Sequence, residues 1–131
     1  MGAVKLLLDT HTLLWWLFDD PKLSATAQRA IKNPDNAIFA STASAWEIAT
    51  KYRLGKLPGA EEAVQRLSEL LRSARIEPLP ISMEHALAAG ALAGPHRDPF
   101  DRMLIAQAHI ENQSIVTTDR VFSDYAVEII W

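Results

Sequence analysis

Short apolar runs alternate with longer stretches of helical periodicity along the whole chain. Residues 4–8 are apolar except for Lys5, which predicts a short buried strand. A helix over 12–18 follows and is halted by Asp19-Asp20-Pro21. Ser24 reads as the N-cap of a helix to residue 33, stopped by Pro34. Residues 37–40 form the next strand. Ser41 or Thr42 then caps a long helix to Leu54, with Gly55 as its stop. Residues 60–73 are amphipathic, with Val64, Leu67, Leu70 and Leu71 on one face. Residues 76–79 make a weaker strand, interrupted by Pro78 and bounded by Pro80. Ser82 caps a helix over 82–93, Asp98-Pro99 opens another to residue 111, and 114–117 and 127–130 are the last strands. Strands alternating with helices argue for a single α/β domain over residues 1–131, a sandwich around a mostly parallel sheet. In such sheets a ligand binds beyond the carboxyl ends of the strands.

Composition narrows the chemistry. With 49% hydrophobic residues in 131, the chain can bury one sizeable core. No apolar run approaches the roughly 18 residues of a membrane span. The N-terminal apolar stretch is broken by Asp9 before it could serve as a signal core. These features predict a cytoplasmic protein with no membrane partner. The absence of cysteine excludes thiolate metal sites and a cysteine nucleophile, and the four histidines show no paired ligand spacing. A bound metal would therefore sit on carboxylate oxygens. A net charge of −3 argues against a simple basic nucleic-acid binder, but not against an acidic site whose charge a cation reverses.

Five acids stand where such a site would form. Asp9 follows the first strand and Asp119 the fourth, so both fall on one rim if those strands run parallel in the sheet centre. Asp98 and Asp101 occupy the start of the helix opened by Pro99, where the helix pole favours negative charge. Glu47, between Trp46 and Ile48, lies on or beside a buried face and needs a partner there. Carboxylates gathered this way repel one another without a cation. Magnesium or manganese would suit an oxygen-only set, activating a water for in-line attack on a phosphodiester. Each acid also has a plainer role. Asp9, Asp98 and Asp119 can each cap the element that follows, Asp101 can face the helix pole, and Glu47 can pair with Lys51 four residues on.

Four blocks, in this order and spacing, resemble the PIN-domain family and, within it, the VapC-type toxins of type II toxin–antitoxin systems. They are Leu7-Leu8-Asp9-Thr10-His11-Thr12, Ser44-Ala45-Trp46-Glu47-Ile48, the segment from His96 through Asp98-Pro99-Phe100-Asp101-Arg102 to Ala108, and Ile115-Val116-Thr117-Thr118-Asp119. The resemblance spans nearly the whole chain. It implies a Rossmann-like three-layer α/β/α domain with Mg2+ or Mn2+ in an acidic pocket. It further implies endoribonuclease activity, a homodimer and a small cognate antitoxin as partner. By matching position it makes Asp9, Glu47, Asp101 and Asp119 both the catalytic set and the metal ligands. Thr10, Thr12 and Thr118 would then orient carboxylates or waters, with Asp98 supporting Asp101. His11 departs from the asparagine common in the family.

Lys51, Arg102 and Arg120 lie beside the acids in sequence and are the candidates to grip RNA phosphates, with ordinary solvated charge as the plainer role. Not all of Trp15, Trp16, Leu17 and Phe18 can face the core from one helix, which leaves a surface for an antitoxin segment or a stacked base. Phosphotransfer enzymes of the haloacid-dehalogenase type need a second aspartate where this chain has His11. Receiver-type domains need an acidic pair after the first strand, and none is present. The competing reading from another class is a non-catalytic acidic α/β module that docks a protein partner.

Overall fold

The computed structural model describes residues 4–131. Strand β1 (Lys5–Leu8) lies at the centre of a five-stranded sheet, flanked by β2 (Ala37–Ser41) and β4 (Ser114–Val116). Strands β3 (Glu77–Leu79) and β5 (Ile129–Ile130) form the edges, and every pairing is parallel. The uninterrupted Leu6-Leu7-Leu8 run is explained by burial on both faces, as expected of a parallel sheet covered by helices on each side. Side chains alternate across the sheet. Leu6 and Leu8 pack with Leu13, Ile31, Ile48 and Leu71 on one face. Leu7 packs with Leu104, Ile105, Ile115 and Phe122 on the other.

Helices α1 (Thr10–Leu17), α2 (Ala25–Lys32), α3 (Thr42–Arg53) and α4 (Glu61–Ser73) supply the first of these layers. Helix α6 (Pro99–Glu111), with α5 (Met83–Ala91) packed on it, covers the second. Among the described residues no helix is long and apolar enough to cross a membrane.

The path of the chain decides where a site can form. From β1 it steps outward to β2 and β3, then returns across the sheet to lay β4 on the other side of β1. The direction of winding therefore reverses between β1 and β4, and a crevice opens beyond their carboxyl ends.

Several boundaries differ from the periodicity, each for a local reason. Helix α1 starts at Thr10, not residue 12, because Asp9 itself is the N-cap and accepts the Thr12 amide. Helix α5 stops at Ala91, before Gly94 takes φ +119°. The final strand is cut to Ile129–Ile130, since only those residues pair with β4, although Val127 is also buried. A 3₁₀ helix at Arg120–Tyr125, capped by the Asp119 carboxylate, is the element that follows β4.

Candidate active site

Beyond the carboxyl ends of β1 and β4 lies a cleft of about 480 Å³. Its lining includes Asp9, Glu47, Asp98, Asp101 and Asp119. The plainer role foreseen for each of the five is also fulfilled. The three capping aspartates cap, Asp101 stands in the first turn of α6, and Glu47 pairs with Lys51. The two kinds of role are compatible, because a carboxylate has about four lone-pair sites and each of these uses only one or two.

The floor is the most tightly built part. Asp9 is 7% exposed, and both its oxygens are held. Oδ1 accepts the Thr12 amide at 2.8 Å, and Oδ2 accepts the hydroxyl of Thr117. Thr117 also accepts the Asp119 amide at 2.9 Å, so one buried hydroxyl links the acids at the ends of β1 and β4. Glu47, 4% exposed, takes the Thr10 hydroxyl on Oε1 at 2.6 Å and the Lys51 ammonium on Oε2. Ser44 supports Thr10, with the two hydroxyl oxygens 3.0 Å apart.

The other wall is the N-terminus of α6. Asp98 Oδ1 caps it by accepting the Phe100 and Asp101 amides at 2.9 and 3.2 Å. Asp101 Oδ2 accepts from His96 Nε2 at 2.8 Å. Burial pushes the Asp101 carboxyl up from the ordinary 3.8 to about 6. The hydrogen bond from His96 opposes this, while the neighbouring charges of Asp98 and Glu47 reinforce it. Lys51 answers the same field from the other side. Its burial works against the ammonium, but Glu47 first, then Asp98 and Asp101, raise its pKa above the usual lysine range. The cleft thus holds an excess of negative charge that one lysine does not neutralise.

The expected supporting residues fall out unevenly. Thr10 has its hydroxyl on a site carboxylate. Thr12 contributes its amide, while its own hydroxyl is buried without a partner. Thr118 is exposed at the cleft edge, and the structural task falls to its neighbour Thr117. Arg102, expected on phosphate, donates from its guanidinium to the carbonyls of Leu92 and His96. Arg120 is exposed next to Asp119. The histidines divide sharply. His11 lines the cleft with its ring 5.9 Å from Trp15, His85 is buried in the capping box of α5, and His109 bonds the Tyr125 carbonyl. Only His96 touches a site carboxylate. Its signal in the sequence was slight: a histidine five residues ahead of an aspartate, across a helix cap.

A parallel sheet with a crevice at its winding reversal, lined by five carboxylates of which Asp9 and Glu47 are buried, defines an acidic α/β domain suited to cation-assisted chemistry. The chain belongs to the PIN-domain family, whose pattern matches residues 6–128. It is 32% identical over 120 residues to Ribonuclease VapC22 of Mycobacterium tuberculosis, covering 87% of this chain and 86% of that protein. It is 35% identical over 79 residues to Ribonuclease VapC16 of the same organism, covering 57% of this chain and 56% of that one. In fold it is similar to VapBC2 from Rickettsia felis, solved bound to a DNA fragment from their promoter. There the TM-score is 0.68 and the identity 20%, over 96% of this chain and 97% of the other.

Proposed function

We propose that the protein is a Mg2+- or Mn2+-dependent endoribonuclease, the toxin of a toxin–antitoxin pair, hydrolysing RNA in the cytoplasm. The observation that carries this reading is the set of five acids lining one cleft whose charge Lys51 does not balance. The kinship with ribonucleases of the VapC type supplies the class of substrate.

The donors suit such a cation. All are carboxylate oxygens, the hard ligands these ions prefer. Among the described residues no three acidic or imidazole side chains converge into a ready-made cage. Magnesium commonly binds through one or two carboxylates and keeps several waters. Asp9, Asp101, Glu47 and Asp119 are the carboxylates that would hold it, one or two directly and the others through retained waters. When bound, the cation would activate a water and offset charge on the phosphodiester.

The remaining tasks fall to the chain itself. Thr117 and the Thr12 amide hold the Asp9 carboxylate in one orientation, and Thr10 does the same for Glu47. Attack by water on phosphorus, with cleavage of the bond to the 3′ oxygen, leaves a 5′-phosphate and a 3′-hydroxyl. Lys51, which lines the cleft, and Arg120, exposed next to Asp119, would meet flanking phosphates. Arg102 acts by shaping the loop ahead of α6.

A homodimer and a small antitoxin complete the reading. Trp46, 62% exposed, borders an apolar groove with Ile81, Phe100 and Met103 that suits such contacts. Trp15 and Trp16 wall a second groove with Leu23 and Leu70, suited to an antitoxin segment.

The test is cleavage of a mixed single-stranded RNA pool by purified, antitoxin-free protein in Mg2+, in Mn2+ and in chelator, with Asp9→Asn alongside. Metal-dependent cleavage that vanishes in the variant is expected. Absence of both cleavage and metal binding would leave the non-catalytic binding module in its place.

A further inference from the structure

Ahead of α6, residues 92–98 form a loop without regular structure, yet it is tied down at several points. Arg102 Nη1 donates to the His96 carbonyl at 2.9 Å, and Nη2 donates to the Leu92 carbonyl. The His96 amide donates to the Tyr125 hydroxyl at 2.9 Å. Tyr125 is 8% exposed, and its own carbonyl bonds His109 Nε2 at 2.6 Å. Gly94 lies flat against the tyrosine ring, where a Cβ would come within 2.5 Å of Cε1. Its φ of +119° also suits glycine alone. Main-chain groups of His96 are thus fixed on two sides, by α6 and by the 3₁₀ helix, while its imidazole reaches back to Asp101 Oδ2 at 2.8 Å.

We propose that His96 is a positioning residue for the cation site, with Tyr125 and Arg102 as the anchors that aim it. This rests on the metal-dependent reading above. Asp101, like Asp119, is held through one oxygen only. Asp9 and Glu47 are each gripped through both oxygens by groups from α1, α3 or the end of β4. Asp101 has one partner, and that partner comes from a loop. An aspartate turning freely about its side-chain torsions presents its oxygens in many directions. The His96 bond fixes Oδ2 and so directs the rest of the carboxylate into the cleft. Residues that hold a metal-binding carboxylate in this way commonly matter about 10- to 100-fold to metal affinity or activity.

Three variants separate positioning from simple folding. His96→Ala removes the donor. His96→Gln restores an N–H at similar reach. Tyr125→Phe keeps the ring against Gly94 and deletes only the acceptor for the His96 amide. Each would be measured for Mn2+ affinity by titration calorimetry, for the Mn2+ concentration giving half-maximal RNA cleavage, for the KM for RNA, and for thermal unfolding in chelator. Expected is a loss of Mn2+ affinity of about 10-fold or more in His96→Ala, a matching rise in the half-maximal Mn2+ concentration, and an unchanged KM for RNA. His96→Gln should recover most of the loss, and Tyr125→Phe should show a smaller loss in the same direction. Unchanged Mn2+ affinity in His96→Ala would overturn the proposal. So would a loss that His96→Gln does not recover and that tracks a lowered unfolding temperature. The wild-type arm keeps the two levels apart: a wild type that binds no Mn2+ removes the metal-dependent reading itself.

Discussion

Replacing Thr117 by valine should damage the site far more than the same change at Thr118. The two threonines are adjacent, yet Thr117 is fully buried and Thr118 is exposed. Valine keeps the shape of threonine, so the Thr117→Val change removes one hydroxyl and little else. That hydroxyl donates to Asp9 Oδ2 and accepts the Asp119 amide at 2.9 Å. A hydrogen bond to a charged, buried acceptor contributes about 1.5–3 kcal/mol, and the Asp9 oxygen has little access to water as a replacement. Taking about 2 kcal/mol and an unfolding entropy of roughly 2.1 cal/mol/K per residue, a chain of 131 residues should lose about 7 °C in Tm. Thr118→Val removes no bond to a site carboxylate and should stay within about 0.5 kcal/mol. The assay is thermal unfolding in chelator, so that cation binding does not contribute, paired with metal-dependent RNA cleavage. Cleavage should fall about 10- to 100-fold in Thr117→Val, because Asp9 loses one of the two bonds that orient it. Equal losses at the two positions, or a larger one at Thr118, would refute the assignment of the supporting hydroxyl.

Two further outcomes follow from the charges in the cleft. Asp101 has a folded-state pKa of about 6 against an ordinary 3.8, so the folded protein holds the proton more tightly than the unfolded chain. In chelator its contribution to stability is present below about pH 4 and is lost as pH rises through about 6; urea midpoints across this range should show the decline, and Asp101→Asn should flatten it. Lys51→Met leaves Glu47, 4% exposed, with only Thr10 as partner. It should cost about 1–3 kcal/mol in chelator, and more than Glu47→Gln, as read by denaturant unfolding.

The parts of this architecture that depend on neighbours in sequence were legible beforehand. Ser24, Ser82 and Asp98 cap helices because a short polar side chain reaches an amide two or three residues on, a relation contained within one turn. The apolar runs 6–8 and 115–116 had to be buried, and burial on both faces led to a parallel sheet with helices on either side. That in turn carried Asp9 and Asp119 to one rim. What stayed hidden depends on contacts across long separations. Whether Thr117 or Thr118 faces Asp9 is decided by how β4 lies beside β1, since successive residues point to opposite faces. The part played by His96 depends on a tyrosine hydroxyl 29 residues away. The two loop carbonyl partners of Arg102 are likewise invisible in a one-dimensional pattern.

The winding reversal beside β1 also sets an order in time. The bond between Thr117 and Asp9 spans 108 residues, and β1 finds its second neighbour only when β4 arrives. Contacts of such long sequence separation are slow to form, and a chain emerging from the ribosome folds from its N-terminus. While residues 114–119 are still unsynthesised, Glu47 already has Thr10 and Lys51, but Asp9 lacks its second anchor and Asp119 does not yet exist. In the partly made chain the acidic cleft is therefore incomplete. The cleft is complete only once residues 114–119 lie beside β1.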